Sequence, residues 1–185
     1  MLNADMSERT TRQLRIAGWS LAAVLLALPW AAMQFTREVD WTASDFVAAG
    51  IVFAIVGGLF ELAARASRNI AYRAGTVLAV GGCFLIVWVS MAVGIIGESD
   101  DPRNIIYFAI VAMIATGAYV ARGAAAGMKR TMRWMAGFML LVALMHAGPA
   151  RLAVPFDLFL GALWAVSALL FAKAAAAAAP DPDRR

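Results

Sequence analysis

Charge is what this sequence has least of. Asp, Glu, Lys and Arg together make up 15% of 185 residues, where soluble domains carry roughly 25%. Cysteine occurs once, at Cys83, so no disulfide framework exists and redox compartment leaves no trace. Histidine also occurs once, at His146. A lone imidazole supplies neither a His-x-x-x-His metal pair nor the second axial ligand of a haem. There is no glycine-rich phosphate loop, no nucleotide or quinone motif, and no Ser/His/Asp set that can be placed at one depth. The connections between apolar blocks are too short to fold a soluble catalytic domain. Nothing therefore points to an enzyme, and no cofactor is expected. The sixteen basic residues are scattered at block ends rather than gathered on one patch, which argues against a nucleic-acid partner.

What the chain has is hydrophobic sequence, 63% of it, in long blocks separated by short charged punctuation. This is the pattern of a polytopic membrane protein. The longest uncharged run covers 24 residues, Ala74 to Gly97. At 1.5 Å per residue it is long enough to cross a hydrocarbon core of about 30 Å with some tilt. A 21-residue run, Ile16 to Thr36, precedes it and is read as a retained first helix rather than a signal peptide. A second helix is expected from about Ala43 to Ala64, opened by Thr42-Ala43-Ser44-Asp45 as a capping box. Asp101-Pro102 reads as N-cap and first residue of a fourth helix ending near Ala121. A fifth spans roughly Thr131 to Ala147, and Gly148-Pro149 is expected to close it with a left-handed cap. Pro155-Phe156-Asp157 opens a sixth that ends near Lys173. The expectation is an all-α bundle of six transmembrane helices over residues 16–173, with a polar segment 1–15 before it and a flexible tail 174–185 after it.

Six spans put both termini on one side, and the basic residues choose which. Thirteen of sixteen Lys and Arg fall in the N-terminal segment, the second and fourth connections and the tail; only Arg37, Arg103 and Arg151 fall in the other three. The positive-inside rule then places both termini in the cytoplasm. Glu38, Asp40, Asp45, Glu98, Asp100, Asp101 and Asp157 lie on the opposite face. Trp19 and Trp134 read as one aromatic belt, and Trp30, Trp41 and Tyr107 as the other.

Two stretches, Trp41-Thr-Ala-Ser-Asp45-Phe-Val-Ala-Ala-Gly50 and Val93-Gly-Ile-Ile-Gly97-Glu-Ser-Asp-Asp-Pro-Arg-Asn104, resemble a family of small bacterial multi-span membrane proteins of unassigned function. The resemblance covers about Trp41 to Tyr119. It implies a multi-pass protein of the bacterial inner membrane and brings no activity with it.

Few polar residues stand out. Glu61 is read as the one acid within a span, and such residues are costly at membrane depth. It sits one turn before Arg65, at the spacing of a helical ion pair. The acidic turn of Glu98, Asp100 and Asp101 with Asn104 reads either as a solvated loop or as a hard-cation site, though its ligand spacing matches no known calcium loop. Met132, Met135, Met139 and His146 fall on one helical stripe with Met128. Soft ligands of this kind suit Cu(I), while methionine at core spacing is a packing residue; packing is the expectation and no metal is assigned. Small residues at Ala54 and Gly58, at Gly81, Gly82 and Gly94, and at Gly161 would let helices approach closely.

Together these features suggest a small non-enzymatic membrane protein, structural or accessory, set in the lipid bilayer and packed against a membrane-protein partner or its own copy. One alternative is a small ion or solute transporter using Glu61 and an acidic outer vestibule. A second is a copper or redox-linked membrane protein using the methionine stripe.

Overall fold

The computed structural model describes residues 2–37, 40–148 and 150–178. Glu38, Pro149 and the tail from 179 lie outside the described residues. All regular structure among the described residues is helical: α1 (Leu2–Ala32), α2 (Ala43–Ala66), α3 (Ile70–Ala92), α4 (Ile105–Val120), α5 (Ala125–His146) and α6 (Val154–Ala177), with one-turn 3-10 segments at Pro102–Asn104 and Arg151–Ala153. Five of the six, all but α5, contain segments long and apolar enough to cross a membrane. The protein is thus an all-α membrane protein. In α5, Lys129, Arg130 and Arg133 crowd the first three turns, so its uncharged part begins only at Trp134.

Residues 1–61 and 62–185 form two compact units. In the first, α1 starts at Leu2 rather than near Ile16. The segment before Ile16 contains no glycine or proline and is rich in good helix formers, so nothing stops the helix from extending backwards through it. The second helix opens at Ala43 with half of the expected capping box, the Asp45 amide bonding the Thr42 carbonyl and not its hydroxyl. The Thr42 amide donates to Asp45 Oδ2 at 2.7 Å, and the threonine hydroxyl donates to the same oxygen at 2.8 Å.

In the second unit, α3 to α6 pack as antiparallel neighbours. Asn69 caps α3, its Oδ1 accepting from the Ala71 amide at 2.9 Å. Residues far apart in sequence set the register. A Cβ at Gly75 would meet the Phe171 ring at 3.2 Å, and one at Gly161 would meet Met139 Cβ at 3.3 Å. Ser167 on α6 donates to the Gly75 carbonyl at 2.7 Å. Ile86, Tyr107, Ile110, Met132, Met139, Val142, Leu160, Trp164 and Phe171 are completely buried and form the core. The arrangement segregates charge. Arg73, Arg122, Lys129, Arg130, Arg133 and Lys173 lie at the end where α3 begins and α4 ends; the acidic turn, Asp157, Arg103 and Arg151 lie at the other.

Two expected helix ends are built differently. The uncharged run Ala74–Gly97 is not helical throughout: α3 stops at Ala92, and Gly94 and Gly97 take φ of +78° and +61°. A Cβ at Gly94 would collide with the Glu98 carbonyl, so this backbone requires glycine. The left-handed cap expected at Gly148 is absent, since Gly148 is not among the positive-φ glycines and α5 ends through Ala147 in right-handed geometry. Such a cap does close α4, where Arg122 and Gly123 have φ of 46° and 69° and Gly123 N–H reaches the Ala118 carbonyl at 3.2 Å.

Candidate functional site

Three polar side chains from three helices meet in the core of the second unit. Asp157, in the first turn of α6, is fully buried. Its Oδ1 accepts from the Tyr107 hydroxyl of α4 at 2.7 Å, and its Oδ2 lies 2.7 Å from Nδ1 of His146, the last residue of α5. Tyr107 is likewise fully buried, while the His146 side chain keeps 11% exposure. The Tyr107 and His146 rings are 6.1 Å apart, and Phe156 covers the tyrosine edge-on at 6.4 Å. A carboxylate in the first turn of a helix gains from the dipole, and two donors converge on it, which makes its burial tolerable.

The physical reason for the meeting is register. Consecutive antiparallel helices bring residues equally distant from their connecting turn to one level. His146 and Asp157 stand eleven positions apart across the short α5–α6 turn, so they face each other. Glu61 is not the one acid within a span-length apolar segment, since Arg151–Ala177 contains Asp157. Tyr107 is not an interfacial belt residue, because no part of it is exposed. The eleven-residue spacing around Gly148 was the available signal for the His–Asp pair. Nothing local marks Tyr107, fifty positions from its acceptor.

Nearby, Asn104 organises the acidic turn. It is buried, and its Oδ1 accepts from the Ile95 and Ile96 amides at 3.1 and 2.9 Å. Its Nδ2 donates to the Ile96 and Glu98 carbonyls at 3.1 and 2.8 Å. All four hydrogen-bonding positions of the amide are used. Asp101 caps the 3-10 turn through the Arg103 amide at 2.9 Å and grips the Arg103 guanidinium with both oxygens. Those Arg103 hydrogen bonds hold the Asp101 carboxyl down to about 2. Glu98 and Asp100 are exposed. The turn is thus organised by an amide and an ion pair, and no group of three His, Cys, Asp or Glu suited to a metal occurs among the described residues.

The other candidate residues fall in several places. Glu61 Oε1 lies 2.7 Å from Arg15 Nη2 of α1, with the two side chains 21% and 53% exposed. Arg65 is exposed in the last turn of α2. Met132, Met139 and His146 are buried and Met135 is half-buried, the stripe facing the core of the second unit. Among the small residues, Gly82 and Gly161 lie under neighbouring helices, and a Cβ at Gly82 would sit 2.5 Å from Trp164 Nε1. A Cβ at Gly58 or Gly81 would meet nothing within 4 Å, and Ala54 is exposed. Gly94 lies beyond α3 in the turn. In the first unit the close approach falls one residue before Gly58: a Cβ at Gly57 would stand 2.6 Å from the Trp19 ring of α1.

No protein-family profile, curated protein or solved structure matches this chain.

Proposed function

We propose that this is a small, non-enzymatic protein of a bacterial inner membrane, with both termini cytoplasmic, that serves as an accessory subunit by packing against a membrane partner or another copy of itself. The observation that carries this reading is the small-residue stripe on α2, which nothing within the first unit packs against closely. Gly50, Ala54 and Gly58 recur every fourth residue on one helical face. A Cβ at Gly50 or Gly58 would find open space, whereas Gly75, Gly82 and Gly161 each lie against another helix. Membrane helices associate through close packing of such surfaces, because lipid offers them no hydrophobic drive. The charge segregation in the second unit supports the orientation through the positive-inside rule. The family resemblance around Trp41–Gly50 and Val93–Asn104 supports the bacterial setting. The burial of Met132 and Met139 favours packing over copper binding for the α5 stripe.

The test is Gly58→Leu with Gly50→Leu, purified in mild detergent. The reading expects monomer stability to stay near that of the parent while a co-purifying subunit or the self-associated species is lost. Unchanged association in both variants would sink it. A transporter reading has one observation in its favour, the buried Tyr107–Asp157–His146 cluster; loss of ion or solute flux on Asp157→Asn with association intact would put it first.

A further inference from the structure

We propose that the Tyr107–Asp157–His146 cluster is a proton-binding site that takes its proton at Nε2 of His146 from the side of the α5–α6 turn. Asp157 is fully buried, and its recorded ion-pair partner is His146, with no Lys or Arg paired to it among the described residues. A carboxylate so placed is costly unless its charge is compensated. Both its oxygens are already engaged, Oδ1 by the Tyr107 hydroxyl and Oδ2 by His146 Nδ1. The imidazole is the group through which a compensating positive charge can reach it. With Nδ1–H donating to Asp157, the lone pair resides on Nε2, which makes no hydrogen bond among the described residues, and the side chain keeps 11% exposure.

The binding step is simple. A proton from water at the outer end forms an N–H bond at Nε2 and no other bond breaks. Imidazole becomes imidazolium, and the net charge of the cluster goes from minus one to zero. Release is the reverse, and it leaves the buried carboxylate uncompensated. Since the three residues belong to α4, α5 and α6, proton occupancy sets how firmly those helix ends hold together. The site is independent of whether α2 has a partner.

Other charged groups leave this role to the cluster. Arg103, at the head of α4, is exposed and held by Asp101; Arg151, in the turn before α6, is exposed. Glu98 and Asp100 face solvent. The charged residues of α5, Lys129, Arg130 and Arg133, lie at the opposite end, as does Lys173 of α6. From α3, Tyr72 and Arg73 lie at that far end too, and Cys83 lies midway along the helix.

Because His146 is the one histidine in the chain, selective 15N labelling of histidine gives a signal that needs no assignment. In the parent protein the shifts should show Nδ1 protonated throughout and Nε2 taking up its proton reversibly as pH is lowered. Asp157→Asn removes the compensating charge, and the imidazole should then bind its proton at least about tenfold less tightly. Tyr107→Phe withdraws a hydrogen bond from the carboxylate, strengthens its pull on the imidazole, and should move proton binding the opposite way. The Tm of the parent should fall as pH rises through the titration, and His146→Gln should flatten that dependence. Should Asp157→Asn fail to fold, the parent titration and the Tyr107→Phe shift still decide. A folded parent in which Nε2 takes up no proton as pH is lowered, or proton uptake unmoved in every folded variant, overturns the proposal.

Discussion

A Cβ placed on Gly82 of α3 would stand 2.5 Å from Nε1 of Trp164 on α6, well inside contact distance. The indole nitrogen is buried and has no hydrogen-bond partner among the described residues, so it is held there by packing. Glycine at 82 is what allows a tryptophan to fill the seam between the two helices. We expect Gly82→Ala to lower stability by about 1–3 kcal/mol, the usual cost of overpacking, and Gly81→Ala, which faces open space, to be nearly neutral. Thermal unfolding of the two variants in the same detergent checks the contrast.

Asn104 should matter more than any acid beside it. Replacing it by Ala removes four hydrogen bonds and strands partners at buried Ile96 and half-buried Ile95. A loss of about 2–4 kcal/mol is expected, since orphaned buried groups cost more than the bonds themselves contribute. Asp100→Ala, at an exposed position, should lie within about 0.5 kcal/mol of the parent. Equal effects from the two would show that the amide does not organise the turn.

Asp101 offers a pH test outside the spans. Its folded value of about 2 is depressed from the ordinary value of about 3.9, first of all by the Arg103 hydrogen bonds. A depressed carboxyl stabilises the fold above its ordinary range, and that contribution disappears as pH falls through about 2. The side-chain carbon shift of Asp101 should titrate near that value in the parent and return toward about 3.9 in Arg103→Ala. A parent titration at the ordinary value would show that the ion pair does not hold in solution.

The Glu61–Arg15 pair is half in solvent, so its rupture should cost little. Glu61→Gln is expected to change stability by no more than about 1 kcal/mol. Gly57→Leu should cost more than that, because the Trp19 ring occupies the space the new side chain needs. The measurement is Tm of the two variants side by side; a larger effect from Glu61→Gln would give this acid a role beyond surface pairing.

Orientation can be read by labelling. In a Cys83→Ser background, Ser99→Cys and Ala124→Cys place thiols at exposed positions on opposite ends of α4. The basic asymmetry predicts that an impermeant reagent reaches the first from outside intact cells and the second only after permeabilisation. The reverse pattern would invert the topology.

Membrane class, helix number and the separation of basic from acidic ends were legible in the linear chain, because each depends on local hydropathy and on charges adjoining each run. The Thr42–Asp45 cap was legible for the same reason, since all of its atoms lie within four residues. The end of α3 was not: Ala74–Gly97 is uniformly apolar, and only Asn104, from the far side of the turn, draws Ile95 and Ile96 out of helical pairing. Nor could sequence choose between Gly57 and Gly58, adjacent glycines that differ by a rotation of about 100° around the helix. The cluster shows the division most clearly. Composition gives Tyr107, His146 and Asp157 three unrelated readings, as belt, stripe and helix opening. Their union depends on how α4, α5 and α6 are turned about their axes and staggered along them, which is decided by side-chain fit between residues as far apart as Gly82 and Trp164 or Gly161 and Met139. Hydropathy carries no information about rotation or stagger, so only the packed structure could bring the three side chains to one carboxylate.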